Sequence, residues 1–501
     1  MHLESYKNVS IYLIINFMRR RIMDFRNTDL KDLFGAVAAE DDELKNLEKY
    51  FFKNQLFRKA IGKDKLLILK GYKGTGKSAL LTMVQDYFYA EKKVCLSIKP
   101  DDFPSIKLSN NDNLDLISSW KKDLNDLIIK KAYETFLQED KPQKKFFNAI
   151  NAINDIFNLP QYLNADTDGF KKKIAENFNK NREVYVFIDD LERGWNGDEN
   201  SIHRISSLIS ALRDLSNSFK GLKFRVSLRS DMYSMLRYDD SNLDKVLPDI
   251  FDVKWTRDDL LKILVMRVQH YFGNDIKSED LDGLTQTELE PYLKDIMKLN
   301  FSGKGKWHNR PIHNILLSLI RERPRDLINL CTLAASKAGE NNHDLIETKD
   351  WETIFQKYSR DRFNDTITEH KYQLSQDGVK QLLNGMKTTK AESKLQKSLY
   401  DRDEILLKIK NILEQNNIRK NGTTYKMSSK EGLEFLYSIG FLVARKDESE
   451  NGYINRVTYD QNQDLVDQNS GYKFEIHPAF RWALNYDPNE NILAGFDSEY
   501  Y

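Results

Sequence analysis

Cysteine is scarce in this sequence, which has two, Cys95 and Cys331, among 501 residues. They lie far apart and lack C-x-x-C spacing, so the sequence excludes a zinc ribbon and a disulfide framework. A chain that relies on no disulfide fits a reducing compartment, and we therefore expect a cytoplasmic protein.

The sequence also lacks a dominant charge and a long apolar run. Lysine and arginine total 77 against 76 acidic residues, and a net charge of +1 favours neither nucleic acid nor membrane for the chain as a whole. The apolar run 11–15 is far shorter than the ~20 residues of a bilayer span. Its arginines follow it, whereas a signal peptide has its charge first. We expect no membrane partner and interpret residues 1–23 as a dispensable N-terminal extension, since Met23 could be an alternative start.

What the sequence does contain is a phosphate-binding motif, Gly71-Tyr72-Lys73-Gly74-Thr75-Gly76-Lys77-Ser78, followed by Ala79. An apolar run precedes it and apolar residues at helical spacing follow it, which is the strand–loop–helix context that G-x-x-x-x-G-K-[ST] needs. Glycines let the backbone curl so that N–H groups point at phosphate oxygens, and the helix N-terminus adds its dipole. We expect Lys77 to neutralise the β- and γ-phosphates and Ser78 to help hold Mg²⁺.

A second motif follows about a hundred residues later, where the apolar run 184–188 ends in Asp189 and Asp190. In this Walker B pattern we expect Asp189 to hold Mg²⁺ opposite Ser78. We expect Asp190 to polarise the attacking water, with Glu192 behind it. The alternative is a strand that ends in a solvated acidic turn.

Arg229 is a candidate sensor of the γ-phosphate. It ends the predicted strand 223–229, which also carries Ser227, and we expect this strand to lie beside the Walker B strand. A cation at that edge could register whether the phosphate is present. The alternative is an ordinary ion pair with Asp231 or with the Walker B acids.

Arg325 is a second candidate, because it lies at the start of a predicted helix in the stretch 321–327. Proline is tolerated in a first helical turn, so Pro324 fits this position. An arginine here could reach from a lid onto the nucleotide, and Arg323 is the next choice. The alternative is a capping charge cluster with Asp326.

The predicted elements divide the chain into regions. Residues 24–255 form an ATPase core with a helical insert at about 105–181, residues 256–360 form a helical lid, and residues 361–485 place helices before a β-hairpin. This last region suggests a winged-helix-like unit, and 486–501 is an acidic tail. Within residues 390–430, ten basic residues against five acidic ones make nucleic-acid contact a candidate role. Winged helices also serve as protein–protein modules, so both readings stay open.

The string F-I-D-D-L-E-R at 187–193 resembles the Walker B of KAP-type and STAND-related bacterial P-loop ATPases, which reads D-D-L-D-R. The loop 71–78, the strand with Arg229, the lid entry at Trp255 and the segment 323–326 agree with it. The resemblance implies an α/β fold: a P-loop NTPase parallel sheet, an AAA+/STAND-like helical lid and a C-terminal winged-helix-like α+β region. It also makes Arg193 a candidate for a contact between subunits or for a supporting role behind the site. Glu192 departs from the pattern, and no membrane-spanning insert is present.

We predict a Mg²⁺-dependent ATPase switch that acts in defence or stress signalling by assembling with itself or with a partner protein. The resemblance implies Asp189 for Mg²⁺, Asp190 for water, Arg229 for sensing and Arg325 for the lid, and it alone favours ATP over GTP. Two alternatives remain, a DNA-acting AAA+ ATPase of the loader or replication-initiator kind and a scaffold that binds ATP without hydrolysing it.

Overall fold

The structure is a computed structural model that describes residues 23–36, 44–103, 113–137, 183–239 and most of 241–485. Short gaps within the last range fall at 306, 376, 390–391, 393–396, 422, 448–453 and 468–470. The predicted extension before Met23 and the predicted acidic tail 486–501 lie outside the described residues. Met23 itself is buried in the core.

A five-stranded parallel sheet forms the centre of the core. The strands are β1 (Leu66–Gly71), β2 (Val94–Ile98), β3 (Val184–Ile188), β4 (Leu222–Arg229) and β5 (Ile250–Asp252), in the order β2-β3-β4-β1-β5. Strands β1 and β3 are nearly continuously apolar, as parallel strands buried on both faces tend to be, which is why the sequence revealed them. Gly71 pairs with Arg229, and Ile188 pairs with Val226. The register therefore places the ends of β1, β3 and β4 at one edge.

Two apolar clusters cover the two faces of this sheet. Leu67 and Leu69 of β1 pack in the cluster that includes the lid, whereas Leu66 and Ile68 pack in the other. Helices of the core lie on both faces, as short connections between parallel strands require. They are α1 (Leu30–Phe34), α2 (Leu44–Tyr50), α3 (Gln55–Ala60), α4 (Lys77–Ala90), α5 (Asn113–Leu137), α6 (Glu199–Ser218) and α7 (Ser230–Asp239).

The predicted insert at 105–181 is helical where the structure describes it. Helix α5 packs on α6, and its fully buried Trp120 donates from Nε1 to the hydroxyl of Ser207 at 3.2 Å. Residues 104–112 and 138–182 lie outside the described residues.

The lid begins with a helix capped by Thr256, whose hydroxyl accepts from the N–H of Asp259 at 3.0 Å. Its last helix continues through residue 360, where we predicted a boundary, and ends at His370. A buried face that includes Trp351, Phe355 and Phe363 explains this continuity. The lid elements are α8 (Arg257–Tyr271), α9 (Gln286–Leu289), β6 (Asn300–Phe301), β7 (Arg310–Pro311), α10 (Ile312–Leu319), α11 (Pro324–Asn341) and α12 (Thr348–His370).

The C-terminal unit packs helices against a four-stranded antiparallel sheet with the order β10-β9-β11-β8. The predicted helices and β-hairpin are present, and a turn at 371–373 separates α12 from the next helix. The unit contains α13 (Gly378–Gly385), β8 (Leu399–Tyr400), α14 (Arg402–Asn416), α15 (Ser429–Ser438), β9 (Leu442–Asp447), β10 (Ile454–Val457), β11 (Lys473–Ile476) and α16 (Arg481–Leu484).

No helix within the described ranges combines the length and the apolarity that crossing a bilayer requires.

Arg225 is a fully buried cation in the middle of β4. Its guanidinium donates to the carbonyl oxygens of Ala60, Gly62, Asp64 and Phe224 at 2.6–2.9 Å. These bonds join the loop after α3 to the sheet. Burial lowers the pKa of the guanidinium. A buried charge is stable here because backbone oxygens replace its water shell.

We expect Arg225→Met to destabilise the protein by about 3 kcal/mol or more, since several buried carbonyls lose their partner. Arg58→Met is the control: that side chain is 62% exposed and pairs with Asp282, so its loss should cost less than about 1 kcal/mol. Denaturant titration measures both. Equal effects would contradict a structural role for the buried cation.

Candidate nucleotide-binding site

The phosphate loop lies between β1 and α4, as the motif predicted. Gly74 and Gly76 have φ angles of 84° and 85°, which side-chain-bearing residues rarely adopt. Space also restricts Gly74, because a Cβ there would lie 3.0 Å from Cβ of Arg325. The glycines therefore allow both the curl of the loop and the close approach of the lid.

Lys77 is buried at the start of α4, with its ammonium inside the loop. Its Nζ donates to the carbonyl oxygens of Gly71 and Tyr72 at 2.9 and 3.1 Å. Burial lowers the pKa of Lys77, and the carboxylate of Glu192 is the strongest opposing influence. A buried cation at a helix N-terminus is a site for a polyanion.

Three carboxylates follow the Walker B strand and line the same cleft as Lys77 and Ser78. Asp189 accepts from the Ser227 hydroxyl, and Asp190 has a φ of 60°. Hydroxyl and carboxylate oxygens are the donors that Mg²⁺ prefers, so Ser78 and Asp189 fit the predicted ion.

Glu192 differs from the two aspartates in its surroundings. Its Oε2 is buried without a hydrogen-bond partner among the described residues. Burial raises the pKa of Glu192, and the ammonium of Lys77 opposes this increase. A carboxylate with a free oxygen and a raised pKa is well suited to accept a proton from water.

The lid contacts the outer side of the phosphate loop. Nε1 of Trp255 donates to the carbonyl of Thr75 at 2.7 Å, and the N–H of Arg325 donates to the carbonyl of Gly74 at 3.3 Å. In a trans peptide the C=O and the N–H point in opposite directions. A carbonyl bound from outside therefore turns the N–H of the following residue toward the inside of the loop.

Part of the cleft lining is largely apolar, and the sequence did not predict it. The volume of the whole cleft is about 180 Å³. Local sequence could not reveal this part of the cleft, because its lining comes from segments that are far apart in the chain. The lining here comprises Ala36, Leu47, Tyr50, Phe51, Phe52, Trp255, Ile263, Arg267 and Ile328. An apolar, aromatic-lined pocket next to a phosphate loop suits a planar base.

The predicted sensor arginines differ in position. Arg325 lines the cleft, as predicted. Arg229 forms a two-pronged ion pair with Asp231 at 2.8 and 2.9 Å, which is the alternative that the sequence left open, and it does not line the cleft. Arg323 is buried and pairs with Glu369 at 2.8 Å. Sensing by Arg229 therefore stays a prediction that would require this pair to rearrange.

The C-terminal unit also contacts the phosphate loop. The Tyr72 hydroxyl donates to the carbonyl of Ser438 at the end of α15, at 2.6 Å. The His370 ring lies between the rings of Tyr72 and Phe435, with centroids 6.2 and 6.3 Å away. Neither contact was predictable from local sequence.

Acidic neighbours offset much of the basic stretch 390–430. Of the eight lysines and arginines described there, five lie in ion pairs: Lys397, Lys408, Lys410, Lys420 and Lys430. Exposed ion pairs reduce the charge that a phosphate backbone would meet. This lowers the support for nucleic-acid contact through this stretch.

One range of this chain matches a known domain family, and nearly the whole chain resembles one known protein. Residues 258–367 match the FunZ-associated C-terminal helical domain. This range coincides with most of the lid, from α8 into α12. Over 95% of its length the chain is 24% identical to the 80.3 kDa protein ascribed to transposon gamma-delta in Escherichia coli (strain K12), 70% of which it covers.

Similarity to solved structures is weaker. The Aeropyrum pernix ORC2 protein in its ADPNP–ADP complexes gives a TM-score of 0.37 at 13% identity, covering 88% of this chain and 90% of that one. The ORC1 protein of the same organism, in complex with DNA, gives 0.33 at 10% identity, covering 83% and 91%. TM-scores this low support no inference about this chain. The kinship with P-loop ATPases rests on the loop at β1 and the acids at β3.

We expect Glu192→Gln to lower phosphate release from ATP by about a hundredfold or more while ATP binding persists, since an amide cannot accept the proton. Asp190→Asn is the matched variant, and we expect a loss of less than about tenfold. Single-turnover phosphate release measures both. The reverse order would support the prediction from sequence that Asp190 activates the water.

Proposed function

We propose that this protein binds and hydrolyses ATP with Mg²⁺ and uses the nucleotide to control how its C-terminal unit packs on the core. One observation carries the proposal. The phosphate loop faces a cleft with Walker B acids and a lid arginine on its inner side, and it is bonded to the lid and the C-terminal unit on its outer side.

Five side chains of the cleft have roles in this proposal. Lys77 and the loop N–H groups would bind the β- and γ-phosphates, and Ser78 with Asp189 would hold Mg²⁺. The ion would neutralise charge that develops on the phosphates. Glu192 would orient and deprotonate the attacking water, and Arg325 would contact the γ-phosphate from the lid.

The switch would act through the outer side of the loop. Tyr72 belongs to the phosphate loop and bonds to α15, so a change in the loop when ATP binds or is cleaved would alter that contact. Nucleotide switches work in this way when a small shift at the phosphate changes the balance between two packings.

A DNA-acting ATPase is the second candidate, because the C-terminal unit has the connectivity of a winged helix. Its elements run α13-β8-α14-α15-β9-β11, with β10 added, and β8 pairs with β11, which pairs with β9. In such units the third helix, here α15, usually enters the major groove. Five of its ten residues are buried, and only Lys430 and Glu434 are exposed. The surface of α15 that could contact DNA is therefore small.

The name of the Escherichia coli relative places that protein with a transposon. Assembly with itself or a partner, and a role in defence, remain predictions.

The decisive experiment compares ATP binding and phosphate release in the unaltered protein, Lys77→Ala and Lys70→Ala. Lys70 lies just before the loop, pairs with Asp252 and does not line the cleft, so it is the matched control. We expect Lys77→Ala to weaken binding at least about a hundredfold, because the buried cation facing the phosphates is lost. Lys70→Ala should change it less than about threefold.

Failure of the unaltered protein to bind ATP, or equal effects of the two variants, would contradict the proposal. Removal of Mg²⁺ with EDTA should abolish phosphate release. Release that rises only when DNA is added, with binding that weakens steeply as salt increases, would favour the DNA-acting candidate.

A further inference from the structure

Glu369, in the last turn of α12, contacts the phosphate loop directly. Its side chain is 2% exposed. Oε1 accepts from the N–H of Lys73 at 2.9 Å, and Oε2 accepts from Nη1 of Arg323 at 2.8 Å. The same Nη1 donates to the carbonyl of Lys73 at 3.1 Å, and the guanidinium lies over the Tyr72 ring at 4.8 Å. One buried ion pair thus binds both backbone groups of a single loop residue.

We propose that Glu369 is a positioning residue for the phosphate loop, acting with Arg323 to hold the peptides on both sides of Lys73. The carbonyl of Lys73 is held from outside, so the N–H of Gly74 in the same trans peptide points the opposite way, toward the phosphates. Trp255 does the same for Gly76 by binding the carbonyl of Thr75. The inference rests on the proposed function and adds the residue that prepares the loop for it.

The charge on Glu369 would by itself repel a nucleotide, and the ion pair prevents this. Arg323 and neighbouring cations hold the pKa of Glu369 well below its usual range, so the carboxylate is ionised and compensated. In a Glu369→Gln variant the neutral amide could still accept from the N–H of Lys73, but its NH₂ group would face Arg323. The guanidinium would then lose its anchor, and with it the bond to the Lys73 carbonyl.

The position of Glu369 also connects the loop to the rest of the chain. Its carbonyl accepts from Nη2 of Arg229 at 2.9 Å, and the next residue, His370, packs between Tyr72 and Phe435. Movement of the C-terminal unit would therefore reach the phosphate loop through the end of α12.

The test compares Glu369→Gln with Asp326→Asn as the matched control. Asp326 is equally buried in the lid and is held by Arg321 and Arg362, and none of its hydrogen bonds reaches the loop. Both substitutions break a buried ion pair, so both should lower the melting temperature of the nucleotide-free protein. We expect only Glu369→Gln to raise the Kd for ATP–Mg²⁺, by about tenfold, while Asp326→Asn stays within about twofold.

Two further variants keep the test decisive if Glu369→Gln folds poorly. Arg323→Lys keeps a charge opposite Glu369 but lacks the planar guanidinium that covers Tyr72 while its Nη1 reaches both Glu369 and Lys73, so it should weaken ATP binding similarly. Glu369→Asp should give an intermediate Kd. Two results would overturn the inference while the proposed function stands. One is an equal change of Kd in Glu369→Gln and Asp326→Asn, and the other is an unchanged Kd or tighter binding in Glu369→Gln. Absence of ATP binding by the unaltered protein would overturn both.

Discussion

The site depends on hydrogen bonds that the rest of the chain makes to the outer side of the phosphate loop. A loop with three glycines in eight residues has much conformational freedom to lose when it binds a nucleotide. Side chains from the lid remove part of that freedom beforehand by binding the carbonyls of Lys73 and Thr75. Because peptides are planar and trans, holding the carbonyls outward directs the N–H groups inward. The loop is thus preorganised for an anion by residues that would not touch it.

The same contacts make the phosphate loop the place where three parts of the chain meet. Trp255 comes from the entry to the lid, Glu369 from the end of α12, and Ser438 from the C-terminal unit. A change in loop geometry must therefore strain or release bonds to each of them. Packed interfaces tend to have a few discrete arrangements rather than a continuum, which is what a nucleotide switch requires.

The sequence predicted the parts of this arrangement that are local. The parallel strands, the loop 71–78 and the acids after β3 could be found because apolar runs and glycine spacing lie within a few residues of one another. The base pocket, the buried Arg225 and the pairing of Arg323 with Glu369 could not, because their partners come from remote segments. Tyr72 and Ser438 are 366 positions apart. Helix α12 runs past the boundary placed at 360, and its buried face continues to His370.

Hydrogen exchange of the α15 amides, measured without nucleotide and with ATP–Mg²⁺, tests this account most directly. If the outer side of the loop couples the nucleotide to the C-terminal unit, ATP–Mg²⁺ should protect the amides of 74–78 and speed exchange in α15, and Lys77→Ala should abolish both changes. Protection of the loop amides with unaltered exchange in α15 would show that the nucleotide binds without reaching the C-terminal unit. That result would contradict the account.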